Sequence, residues 1–266
     1  MTQGPCKPVL LIRPGVSNTA DAHALSQRNI PSVIDPYLRI APATDEGARP
    51  RADRLVEAIR DHADWLAITS ANAVTALTFL VGEATFSAAL NHAVARGLRI
   101  AAVGDATARA LHACARLTVH CPSPATAEQL TGFLQQDGRT CDVVLPQGDQ
   151  ALPTVAKTLQ AAGWHVHASV VYITAVVDAV PESASDLAAG VFSAVVLRSP
   201  TAVRALHQYS PTLAAGTTLV CGGPTTAAEA ARLFTAPLVT SRAPDAKAVA
   251  EAVEHAIWAT TPPDRT

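Results

Sequence analysis

Two stretches set the pattern of apolar and polar positions along this chain. Trp65-Leu66-Ala67-Ile68 and Ala194-Val195-Val196-Leu197 are short apolar runs followed at once by Ser70-Ala71-Asn72-Ala73-Val74 and Ser199-Pro200-Thr201-Ala202-Val203. Runs this short and this rich in Val, Ile and Leu predict strands covered on both faces. Each predicted strand leads into a helix. Ser70 and Ser199 stand at the N-cap, and Pro200 takes the first helical position, where the missing N–H costs nothing.

Similar units fill the rest. Pro8 to Arg13, Ile30 to Ile34, Arg99 to Val103, Leu117 to Cys121, Val143 to Gln147, Trp164 to Tyr172 and Thr218 to Cys221 read as strands. The spacing of Leu55, Ala58 and Ile59 predicts a helix over Arg51 to Asp61, and others are expected over Ser17 to Arg28, up to Cys114, up to Leu134 and up to Ala162. Tyr37 to Pro42 runs extended between prolines.

The pattern occurs twice. The run Val143 to Asp149 resembles the run Leu10 to Gly15, and Thr218 to Thr226 resembles Ile100 to Thr107. Gly104 to Thr126 and Gly223 to Asp245 are equally spaced, whereas the chain from Ser70 to Gly104 is longer than from Ser199 to Gly223, a difference expected of loops. In order, the pieces are A (8–40), B (64–134), A′ (142–174) and B′ (193–256). Two of them together make a doubly wound parallel sheet of about five strands. Pairing A with B gives two consecutive domains, and pairing B with A′ gives one domain inserted in another. Composition leaves both open.

At 266 residues, 49% hydrophobic and 16% charged, the chain can build two modest α/β cores. A formal net charge of −2 offers no general attraction for nucleic acid or an anionic membrane surface, so an anionic ligand must be met by local donors. No run reaches the length of a membrane span. Cys6, Cys114, Cys121, Cys141 and Cys221 contain no CxxC pair and are expected as buried thiols in a reduced, cytosolic compartment.

Ligands of open α/β sheets sit beyond the carboxyl ends of the strands. Those ends here carry Arg13, Ser70, Ala71, Asn72, Gly104, Thr107, Thr126, Gln147, Gly148, Ser199, Thr225 and Thr226. This donor-rich set suits carboxylates or phosphates, although helix capping accounts equally well for any one of its hydroxyls. There is neither GxxxxGK[ST] nor GxGxxG, and His165 and His167 alternate on a strand with no third ligand near, so no cofactor and no metal is expected. Tyr172, one of three tyrosines, ends piece A′. A neutral phenol can give a proton to a departing hydroxyl.

The order of Arg13-Pro14, Thr69 to Val74, Val103-Gly104 with Thr107, Pro124 to Glu128, Val171-Tyr172, Arg198-Ser199-Pro200 and Gly223 to Thr226 resembles the uroporphyrinogen-III synthase family over about residues 8 to 255. The resemblance implies two flavodoxin-like domains joined by a two-segment linker, with a cleft between them. The nested division would be 1–38 with 175–266, an inserted domain over 43–169, and linkers at 39–42 and 170–174. It implies a monomeric, cofactor-free lyase of porphyrin and heme biosynthesis. Hydroxymethylbilane, a linear tetrapyrrole with eight carboxylates, would close to uroporphyrinogen III with ring D inverted and water lost. By the resemblance Tyr172 is the proton donor and Thr226 its hydrogen-bonding neighbour, with Ser70, Asn72, Thr107, Thr126, Ser199 and Thr225 holding carboxylates.

Two positions depart from the family pattern. Gln147-Gly148 stands where Arg-Gly is common, and Asp245 follows a proline where Thr or Ser is common. They motivate an alternative, a two-lobed binding or sensing protein without turnover. A flavin-binding protein is disfavoured, since the loops lack flanking aromatic residues.

Overall fold

A computed structural model describes residues 7–14, 18–136 and 138–260. The chain divides into two compact units, 1–39 with 175–266 and 40–174. It begins with β1 (Val9–Leu11), α1 (Thr19–Ser26), β2 (Ser32–Ile34) and β3 (Leu38–Pro42). Next come α2 (Ala48–Asp61), β4 (Trp65–Ile68), α3 (Ala71–Val81), α4 (Glu83–Arg96), β5 (Arg99–Ala102), α5 (Asp105–Cys114), β6 (Val119–His120) and α6 (Ala127–Leu134). β7 (Asp142–Gly148), α7 (Thr154–Ala161) and β8 (His165–Val176) lead to α8 (Ser183–Ala188), β9 (Ala194–Leu197) and α9 (Pro200–Tyr209). The order ends with β10 (Thr218–Cys221), α10 (Pro224–Leu233), β11 (Leu238–Thr240) and α11 (Ala246–Thr260).

Unit 1 holds a parallel sheet ordered β11-β10-β9-β1-β2. Alternation along each strand sends side chains to opposite faces. Leu10, Ile12, Val195, Leu197, Leu219 and Cys221 pack with Leu187, Val203, Leu206 and Ala230 of α8 to α10. Val9, Leu11, Ala194, Val196 and Val220 face the other way, against Leu25 of α1 and Val249 and Val253 of α11. Helices therefore cover both faces, which explains the unbroken apolar runs.

Unit 2 holds a sheet ordered β3-β8-β7-β4-β5-β6, in which β8 through β6 run parallel. Leu66, Ile68, Ile100 and Ala102 meet α2 to α5, while Trp65, Ala67, Val143 and Leu145 meet Leu130 and Leu134 of α6 and Leu159 of α7. Apart from β3, the strands follow the order of unit 1: β2-β1-β9-β10-β11 matches β8-β7-β4-β5-β6. Hydrogen bonding thus joins piece A to B′ and piece A′ to B.

Three expectations need correction. The extra length between Ser70 and Gly104 is a helix, not a loop: α3 ends at Gly82, whose φ of +92° turns the chain by 114° into α4. Phe86, Leu90 and Ala93 of α4 are buried, so the insertion enlarges the core. Helix α2 starts at Ala48, ahead of the expected Arg51, because Ala48 and Ala52 continue the buried stripe. The thiols are not uniformly buried. Cys221 is buried, Cys114 and Cys141 are half-buried, and Cys121 is exposed because it follows the two-residue strand at the sheet edge; Cys6, like the start of the helix expected from Ser17, lies outside the described residues.

Candidate active site

In unit 2, parallel strands bring one group of polar ends to one edge of the sheet. Ser70 caps α3, its Oγ accepting the Asn72 N–H at 3.2 Å. Ala71 opens that helix, and Asn72 is exposed on it. Gly104 caps α5 through its carbonyl, which accepts N–H groups from Thr107 and Ala108 at 3.0 and 3.1 Å. Thr107 is buried in the first turn. Thr126 caps α6, its Oγ1 accepting from Gln129 at 3.2 Å. These hydroxyls are engaged as caps, so an anion at this edge would meet free backbone N–H groups of the first turns, as helix starts provide.

Gln147, Gly148 and Tyr172 complete the edge. β7 pairs with β8 in steady register from Asp142 with His165 to Gln147 with Val170, and then one residue of β8 is skipped so that Gly148 faces Tyr172. This bulge sets the Tyr172 ring over the Gly148 backbone. A Cβ on residue 148 would stand 2.4 Å from Tyr172 Cε2, a distance no real contact allows. Glycine is required here for room, and the ring, within β8 and opposite the last residue of β7, is half-exposed.

Unit 1 gathers a smaller, more charged group. Ser199 caps α9, its Oγ accepting from Ala202 at 3.2 Å, with Pro200 in the first turn. Thr225 is exposed and Thr226 buried at the start of α10. Arg13 follows β1 half-buried, and the Asn18 side-chain amide donates to its carbonyl at 2.7 Å. Burial first, and repulsion from Arg198 second, make the Arg13 guanidinium easier to deprotonate than usual, while Asp21 opposes the shift. Asp21 is 2% exposed, and burial raises its carboxyl above the ordinary range against the pull of Arg198 and Arg13. Motif reading passes over Asp21 and Asn18, and it includes Arg198 only as the neighbour of Ser199 and Pro200. The signal for Arg198 lies in the repeat, where it stands opposite Thr69.

Other candidates have structural employment. His167 Nε2 is 3.1 Å from Asp142 Oδ1 and meets His62 edge-on, and His165 is exposed. No group of three potential metal ligands occurs among the described residues. Asp245 caps α11, its Oδ1 accepting the Ala248 N–H at 2.9 Å, and its carboxyl is held below the usual range mainly by that bond. No single helix among the described residues is long and apolar enough to cross a membrane.

Two doubly wound units of like strand order, each with its donors at the carboxyl edge, define a two-unit α/β protein of flavodoxin-like halves. A family profile described as uroporphyrinogen-III synthase HemD, HEM4, matches residues 20–251. The chain belongs to the uroporphyrinogen-III synthase family, and the activity of that family is the lyase-type closure of a small tetrapyrrole.

Among solved structures, uroporphyrinogen-III synthetase of Helicobacter pylori is similar at 13% identity, covering 94% of this chain and 99% of that one, with a TM-score of 0.53. That likeness concerns the fold. Wild-type uroporphyrinogen III synthase of Thermus thermophilus gives 17% identity, coverage of 95% and 97%, and a TM-score of 0.45. A mutant of the Thermus thermophilus enzyme gives 16% identity, coverage of 95% and 99%, and a TM-score of 0.48. Comparison with curated proteins finds no significant match.

Proposed function

We propose that this chain closes hydroxymethylbilane to uroporphyrinogen III without a cofactor, using Tyr172 as the proton donor. The observation that carries the assignment is the seat of Tyr172. Its ring is braced on Gly148 at the carboxyl edge of β7, beside the helix starts that suit carboxylates. Protonating the departing hydroxyl lets it leave as water, and the exocyclic carbon left behind is attacked by the substituted end of ring D. The spiro intermediate then breaks the bond between ring D and its bridge carbon to ring C, and that carbon, again electrophilic, is attacked by the free end of ring D, which gives up its proton as the macrocycle closes with ring D inverted. A phenol held in place raises the effective concentration of the proton, and fixed N–H groups steady the charge.

In this reading Ser70, Ala71, Asn72, Gly104, Thr107, Thr126, Gln147 and Gly148 form the substrate edge of unit 2, and Arg13, Ser199 and Thr225 that of unit 1, with Thr226 as a second catalytic residue. Residues 39–42 and 170–174 connect domains 1–38 with 175–266 and 43–169. The Asp245 departure fits this function, because its carboxylate is engaged at the start of α11. The protein acts as a monomer in the cytoplasm, a placement supported by the free thiols Cys114, Cys121 and Cys221.

The test is an isomer assay. Freshly made hydroxymethylbilane is incubated with the protein, and the oxidised products are separated. Isomer III is expected in excess; isomer I alone, the result of spontaneous closure, rejects the assignment.

A further inference from the structure

The two copies of the repeat differ in charge at equivalent places. Arg198 follows β9 where Thr69 follows β4, and Arg13 lies four residues beyond Val9 as Gln147 lies four beyond Val143. Registers make these positions equivalent: Val9 pairs with Ala194, and Val143 with Trp65, its counterpart in the repeat. Unit 1 has two arginines where unit 2 has neutral side chains.

Arg198 is held from several directions. Its Nη1 lies 3.4 Å from Asp21 Oδ1, and its side chain is 15% exposed. Its Nη2 donates to the Pro244 carbonyl. Its stem runs over Gly222, where an added Cβ would stand 3.3 Å from Arg198 Cδ. One side chain therefore touches α1, the turn into α10 and the loop into α11. Yet Arg198 Nη1 and Asp21 Oδ2 are buried with no hydrogen-bond partner among the described residues. An ion pair so incompletely matched is a poor source of stability, since desolvation of both charges offsets the attraction.

Arg13 and Arg198 repel each other across one buried carboxylate, that of Asp21. Asp245 is exposed, where water screens it, and it is bonded to the first turn of α11. The edge that carries Ser199 and Thr225 therefore holds two arginines where its counterpart in unit 2 holds Thr69 and Gln147.

We propose that Arg198 is a specificity-determining residue, charging the carboxyl edge of unit 1 so that it selects a pyrrole chain by its number of carboxylates, with Asp21 as the positioning residue that moderates the charge. The inference rests on the tetrapyrrole reading above.

Its test compares two probes by fluorescence quenching: the oxidised product porphyrin with eight carboxylates, and the analogue with four, in which the acetate arms are methyl groups. Wild type should favour the eight-acid porphyrin. Arg198→Met, which keeps the stem, should lower that preference about tenfold, the scale of one charge-assisted contact, and Arg198→Lys should restore most of it. Asp21→Asn should act in the opposite sense and raise the preference about threefold, because an opposing charge is gone. A merely structural role predicts weaker binding in both.

An unchanged preference in folded Arg198→Met, or a lower one in Asp21→Asn, overturns the proposal. If Arg198→Met does not fold, the direction of change in Asp21→Asn decides. Wild type that binds neither porphyrin and yields only isomer I removes the tetrapyrrole reading, and this inference with it; wild type that makes isomer III while the variants leave the preference unmoved removes this inference alone.

Discussion

Tyr172 lies across the backbone of Gly148, so closely that a methyl group on residue 148 would overlap the ring at Cε2, Cζ and the hydroxyl. The φ of Gly148 is not among the positive ones, so alanine is excluded there by the ring and not by the backbone. Gly148→Ala should swing the phenol out of place. Turnover is expected to fall about 10- to 100-fold, with a stability loss of about 1–3 kcal/mol typical of overpacking. Steady-state kinetics and a denaturant titration read the two effects separately, and full activity in the variant would show that the ring position does not matter.

Removing only the acidic hydroxyl tests the proposed chemistry. Tyr172→Phe keeps the ring on Gly148 and should lower kcat about 10- to 1,000-fold, somewhat below the usual range for a general acid because the hydroxyl can depart unaided. KM should change little. Unaltered kcat would remove Tyr172 from the role.

The capping hydroxyls should matter for stability more than for turnover. Ser70→Ala, Thr126→Ala and Ser199→Ala each remove a side-chain acceptor from a helix start and should cost about 1 kcal/mol. For a chain of this size that corresponds to a Tm lower by about 2–4 °C. Differential scanning calorimetry checks it, and KM should stay within about threefold if backbone N–H groups do the holding.

Glu229 makes acid stability legible. Hydrogen bonds from Arg232 and Arg204 pull its carboxyl from 4.5 to about 2. The folded state therefore binds this proton less readily than the unfolded chain. Its contribution to stability is complete above about 4.5 and disappears as pH falls through about 2. Tm measured between these limits should decline more steeply in wild type than in Glu229→Gln, and parallel curves would refute the coupling.

Thiol labelling separates the cysteines. Burial pushes the Cys221 thiol up to about 11, so it stays neutral as well as shielded at pH 8. Cys121 is exposed, although burial of its sulfur and the nearby Asp105 raise its thiol too. A maleimide reagent followed by peptide mapping should modify Cys121 well before Cys221, and equal rates would mean that unit 1 opens readily.

Much of the fold is legible locally. Ser199-Pro200 predicts a helix start because a hydroxyl and a fixed φ satisfy the first turn wherever that turn lies, and the cap is found there. Trp65 to Ile68 predicts a strand covered on both sides, and all four residues are buried. Helix α4 is less legible, since its Ala-rich stretch resembles a tolerated insertion until Phe86 and Leu90 are seen inside the core. The seat of Tyr172 is invisible in the sequence: it depends on one skipped residue in the β7–β8 register.

By itself the sequence determined the periods of the elements, their caps, the doubled pattern and, through the order of short motifs, the family. Tertiary structure alone decided which pieces share a sheet, that Arg198 reaches Asp21, and that Gly148 leaves space for Tyr172. The reason is physical. A periodic run specifies that a segment is a strand, but every strand offers its neighbours the same backbone N–H and C=O groups. Which neighbour it takes, and hence which distant side chains meet, is settled by how the helices pack on the two faces of the sheet.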